Sequence, residues 1–110
     1  MPSLPKPPDA YLAFVRRFPT LGEAWNLAQD AGAAGPLDEK TQRLVKLGIA
    51  VGGRQQGAVH SAARKAVAAG ATAEELEQVI ALAAGTVGFP SAVAAFGWVR
   101  DVLDPGPPAG

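Results

Sequence analysis

Helical periodicity, cut at short intervals by proline and glycine, leaves this chain few choices of fold. Asp9 is placed to cap a stretch in which Tyr11, Leu12, Phe14, Val15 and Phe18 repeat at the spacing of one helix face. Pro19 stops it, because proline has no N–H to donate and its ring clashes with the preceding turn. Thr20–Glu23 (TLGE) then has the form of a capping box, and Leu21, Ala24, Trp25, Leu27 and Ala28 give the inward face of a second helix. Gly32–Pro36 ends that helix.

The pattern repeats four more times. Asp38 caps a third helix with Leu44, Val45, Leu47, Gly48 and Val51 inward, and Gly52-Gly53 breaks it. A fourth helix runs from about Gln55 to Ala69, with Ala58, Val59, Ala62, Ala66 and Val67 inward and Gly70 as the residue after its C-cap. Thr72–Glu75 (TAEE) is a second capping box, opening a helix with Leu76, Val79, Ile80, Leu82 and Ala83 inward. Its early acids, Glu74, Glu75 and Glu77, suit the positive end of the helix dipole. Gly85–Pro90 reads as a turn, and Ser91 starts a sixth helix carrying Val93, Phe96, Trp98, Val99, Val102 and Leu103. No stretch reads as a strand, and no internal repeat of about 20–50 residues is present. The expectation is an all-α, six-helix bundle forming a single domain over residues 1–110. Residues 1–8 form an extended proline-rich lead-in, and residues 104–110 a flexible tail.

Composition narrows function mainly by exclusion. Formal charge is zero, so bulk attraction to nucleic acid or to a membrane surface is not expected. No cysteine is present, which removes disulfides, thiolate nucleophiles and Cys-ligated zinc together. One histidine cannot make a multi-histidine metal site within one chain. No signal-peptide pattern and no uncharged apolar run of about 18 residues occurs, so a cytoplasmic protein is expected. Apolar residues make up 48% of the chain, many of them Ala, more than a thin layer of helices hides by itself. Subunit association would bury the remainder.

Charge is separated along the chain although its sum is zero. Leu37–Gly70 holds six of the ten basic residues and the only histidine, His60, and no acid lies between Glu39 and Glu74. Lys40, Arg43 and Lys46 recur every third residue and form one band. Gln56 and Arg64 flank His60 at i−4 and i+4, on one side of its helix. A near-neutral imidazole beside cations suits proton transfer on an anionic substrate. The plainer reading is a core-edge histidine bonded to a backbone carbonyl, with the basic residues forming a solvated face or pairing with Glu74, Glu75 and Glu77.

The middle and end of the chain resemble the carboxymuconolactone decarboxylase family, which includes the alkylhydroperoxidase D-like proteins. The residues carrying the resemblance are Leu37-Asp-Glu-Lys-Thr41, Leu44-Val45, His60, Ala69–Leu76 (AGATAEEL) and Gly88–Ala92 (GFPSA), over about Leu37 to Leu103 together with the Pro19–Trp25 entry. The redox branch of that family has a C-x-x-C-x-x-x-H pattern; here Gly53 and Gln56 stand at the two cysteine positions, which excludes thiol peroxidase chemistry. The decarboxylase branch often has G-R and then acids before the histidine. Gly53-Arg54 fits, whereas Gln55 and Gln56 replace the acids, and Arg43 and Lys46 stand where an upstream carboxylate is usual.

The resemblance implies cofactor-independent decarboxylation of an anionic carboxylated lactone of aromatic-acid breakdown. His60 would be the catalytic proton-transfer residue, with Arg54, Arg43 and Gln56 binding substrate and no metal. It also implies a homo-oligomer, a trimer or a hexamer, with a small anionic organic molecule as its partner and neither nucleic acid nor membrane. A second expectation is a catalytically inactive, oligomeric binding or scaffold protein, which Gln55, Gln56 and the missing carboxylate motivate.

Overall fold

The computed structural model describes residues 8–104, so most of the proline-rich lead-in and the tail beyond Asp104 lie outside the described residues. Six helices follow one another: α1 (Asp9–Arg17), α2 (Pro19–Ala33), α3 (Glu39–Gly53), α4 (Gln56–Ala68), α5 (Ala73–Val87) and α6 (Phe89–Leu103). No strand occurs among the described residues.

The last four helices make the body. α3 packs on α4 and α5, and α6 packs on the same two, which closes a square with lighter contacts across its diagonals. Leu47, Val51, Val59, Leu76 and Val99 are the largest side chains fully withdrawn from solvent. Around them Ala63, Ala66, Ala92 and Ala95 are buried, and these small residues let the helix backbones approach. Burying each of the larger aliphatics contributes roughly 1.5–3 kcal/mol.

Local chemistry closes the ends of these helices. The Thr41 N–H donates to Asp38 Oδ1 at 2.8 Å, as the sequence predicts for the start of α3. At the start of α5 the Glu75 N–H donates to Thr72 Oγ1 at 3.1 Å, and the Thr72 N–H donates to Glu75 Oε1 at 2.9 Å, completing the capping box. α4 ends in a Schellman motif: Ala71 N–H donates to Ala66 O at 2.9 Å and Gly70 N–H to Val67 O at 3.0 Å, with Gly70 at φ 95°.

Three junctions differ from the sequence reading. Asp9 is the first residue of α1, not its cap; the preceding Pro8 takes that place. The Thr20–Glu23 capping box does not form, because α2 already begins at Pro19, whose fixed φ suits a first turn. The expected turn over Gly85–Pro90 shrinks to one residue: α5 runs on to Val87 and α6 starts at Phe89. Gly88 makes the join at φ 96°, ψ 153°, a conformation essentially confined to glycine.

The first two helices form an arm. They pack on each other where Gly22 meets Val15, so closely that a Cβ on residue 22 would lie 3.2 Å from the valine Cβ. Neither helix buries a residue, contrary to the expected inward faces; Phe14 remains 52% exposed and Trp25 50%. The periodicity was a true sign of amphipathic helices, but among the described residues nothing covers their apolar side. Val45, Val67 and Leu82, also expected inward, are exposed for a related reason, as are Val93 and Phe96 of α6. A square of four helices uses only part of each apolar stripe.

Candidate active site

His60 lies in the second turn of α4, on the side turned to α6, and its side chain is 24% exposed. Its Nε2 is 3.0 Å from Oδ2 of Asp101, in the last turn of α6. In the neutral ring the Nε2–H donates to this carboxylate and Nδ1 keeps the free lone pair; in the charged ring both nitrogens are donors. Arg64, one helical turn beyond His60, and Val102 join the pair to line a surface pocket of about 270 Å³. A histidine, its carboxylate and an arginine therefore meet at one solvent-open point.

The carboxylate that stands beside His60 thus comes from 41 residues downstream. Sequence reading passed over Asp101 because no motif spans that distance. One signal was present. A carboxylate in the last turn of a helix faces the negative end of the dipole, and an acid at that unfavourable end calls for a partner.

The other expected site residues are spread apart. Gln56 is the first residue of α4, exposed and one turn before His60. Arg54, between α3 and α4, has a left-handed backbone at φ 57°, and its Nη2 donates to Val87 O at the end of α5, 3.3 Å away. That contact gives the negative end of α5 a cation. Arg43 lines a separate crevice between α2 and α3, about 370 Å³ in volume, with Gln29, Asp30, Gln42 and Lys46. Of the expected set, the structure places only His60 in the pocket with Asp101; Arg64 is the cation found there.

The basic residues around Lys65 nevertheless act together on it. Burial, then the charges of Arg43, Lys46 and Arg64, hold the Lys65 ammonium below the ordinary lysine range. Lys40 stands apart. It pairs with Glu75 at 2.9 Å, and this bond raises the lysine and lowers the carboxyl relative to their ordinary values.

A model of the carboxymuconolactone decarboxylase family matches residues 19–101, most of the chain and all of α2–α5. The chain belongs to the carboxymuconolactone decarboxylase family. The match takes in both His60 and Asp101 and leaves α1 outside. Comparison with curated proteins and with solved structures finds no match. Among the described residues, no helix of this family member is long and apolar enough to cross a membrane.

Proposed function

We propose that this protein is a cofactor-independent decarboxylase acting on a small carboxylated lactone in the cytoplasm. The observation carrying the proposal is the His60 Nε2–Asp101 Oδ2 contact at 3.0 Å beside Arg64. Loss of carbon dioxide breaks a C–C bond heterolytically and sends the electron pair into the unsaturated lactone carbonyl. The product forms when a proton is returned to carbon. His60 in its charged form, held through Nε2–H by Asp101, would deliver that proton from Nδ1. Arg64 would pair with a substrate carboxylate, a task suited to its planar fork. Arg43, with Lys46 and Lys65, would add a field that draws the anion in.

Measured carbon dioxide release from carboxylated lactones tests the reading. His60→Ala should abolish turnover while its circular dichroism stays that of the wild type. A wild-type protein that releases none from any such lactone would sink it. A second reading is an inactive, homo-oligomeric protein that binds a small anion. It is favoured by Arg54 being engaged with Val87 O while Arg43 lines another crevice. In that case small dicarboxylates bind and no product forms.

A further inference from the structure

Positive charge without a counter-charge collects along one side of the α3–α4 pair. Arg43 and Lys46, one turn apart on α3, line the crevice of about 370 Å³ between α2 and α3. Lys65, on α4, lies within range of both charges and of Arg64. The hairpin explains the meeting: α3 and α4 pack on each other about the Arg54–Gln55 junction, so the last turns of α4 return to the level of Arg43 and Lys46. Arg43, Lys46 and Lys65 are all half-buried. Drawing three cations partly out of water beside one another is unfavourable unless an anion joins them.

Among the described residues no carboxylate does so. The ion pairs there are Lys40–Glu75 and His60–Asp101, and neither uses one of these cations. Asp30 and Glu39 also line the crevice, yet both are exposed and neither pairs with Arg43 or Lys46. Lys46 Nζ instead donates to Gln29 Oε1 at 2.8 Å, a neutral acceptor that holds the ammonium at the crevice and leaves its charge uncompensated. Gln42 Nε2 donates to Ala33 O at 3.2 Å and Leu37 O at 2.7 Å, which ties the end of α2 and the following loop to α3. The crevice is therefore preformed, so a ligand need not order it.

We propose that this crevice binds a small phosphate-bearing anion, held by Arg43, Lys46 and Lys65. A phosphate group carries a charge of about −1.5 to −2 at neutral pH and presents three oxygens in different directions, which suits cations arriving from two helices. A carboxylate carries a single charge on two coplanar oxygens, and one arginine fork satisfies it. The volume falls within the range of small-molecule sites, about 300–1,000 Å³. Asp30 and Glu39 act as a filter. They repel a long polyanion such as nucleic acid, while their oxygens can accept from the hydroxyls of a phosphate ester. Nothing in this site requires His60 to be catalytic.

Isothermal titration calorimetry on the full chain, with inorganic pyrophosphate as the probe, tests it. Wild type should bind one pyrophosphate per chain with a dissociation constant below about 1 mM at about 50 mM salt. Lys46→Met and Lys65→Met should each weaken binding about 10-fold or more, because a charge-assisted bond is lost. Lys40→Met, whose lysine is paired with Glu75, and His60→Ala should both stay within about twofold of wild type. Succinate should bind about 10-fold more weakly than pyrophosphate. Pyrophosphate should raise the melting temperature of wild type more than that of Lys65→Met, which separates lost binding from lost folding. A wild type that does not bind pyrophosphate below about 10 mM overturns the proposal. Undiminished binding by Lys46→Met and Lys65→Met overturns it too, since the attraction would then be diffuse. Loss of binding in His60→Ala would move the anion to the His60 pocket, and succinate binding as tightly as pyrophosphate would make this a carboxylate site; either result overturns the assignment.

Discussion

Replacing Asp101 with asparagine isolates what the carboxylate does for His60. The change keeps size and shape but removes the charge, and it introduces an NH₂ group that can donate to Nε2. Two effects combine. A hydrogen bond to a charged acceptor is roughly twice as strong as a neutral one, a difference of about 1 kcal/mol. Asp101 is 59% exposed, so solvent reduces that figure. The larger effect is on the ring: an amide donor at Nε2 favours the tautomer with its hydrogen on Nδ1, the nitrogen to which the proposed reaction assigns the proton. Together they should lower kcat about 10- to 100-fold, or about 1.4–2.7 kcal/mol, with KM changed less than about threefold. Stability should fall by less than about 1 kcal/mol, because exposed ion pairs contribute little. His60 is the chain's only histidine, so its ring nitrogens can be read without ambiguity by ¹⁵N NMR. The wild-type neutral ring should carry its hydrogen on Nε2, and Asp101→Asn should shift the balance toward Nδ1. A wild-type ring protonated at Nδ1, or an Asp101→Asn enzyme with full kcat, would refute the role given to Asp101.

Other substitutions test the frame around the site. Thr72→Ala removes one half of the reciprocal cap and should cost about 1 kcal/mol in urea unfolding; no loss would mean that the cap does not stabilise α5. Arg54→Gly should stay within about 0.5 kcal/mol of wild type. It relieves a left-handed backbone costing about 1 kcal/mol and loses a guanidinium bond of similar worth, whereas Arg54→Ala only loses the bond. Lys65 tests pH linkage. Its folded value lies below the ordinary 10.5, so the fold disfavours the charge. That penalty is complete at neutral pH and fades as pH rises through the depressed value toward 10.5. Lys65→Met should therefore melt higher than wild type at pH 7, and the gap should narrow by about pH 10; a gap that widens would contradict the sign.

Most of the helical frame was legible from local chemistry. Asp38 and Thr72 cap because their side chains reach amides three residues on, a geometry contained within the sequence window itself. Gly70 ends α4 for a similarly local reason. Where local signals compete, the outcome was less legible. Pro19 and Thr20 both offer a helix start, and the proline, one residue earlier, took it. Gly85 looked like a breaker, yet a glycine within a helix costs only about 1 kcal/mol, which the packing of α5 on α3 and α6 offsets.

By itself, the sequence determined six helices, their order, the place of His60 and the cationic character of the segment around it. Those properties depend on periods of a few residues and on which residue types are present. Tertiary structure alone decided what His60 would meet. Only packing α4 against α6 brings Asp101 to 3.0 Å, because a pair separated by 41 positions has no local signature. It also separated Arg43 and Arg54 from that pair, since α3 turns Arg43 toward α2 and the α3–α4 junction turns Arg54 toward the end of α5. Packing likewise decided that, among the described residues, the apolar side chains of α1 and α2 stay exposed. Periodicity states that a face is apolar; which surface covers it is settled by three-dimensional arrangement.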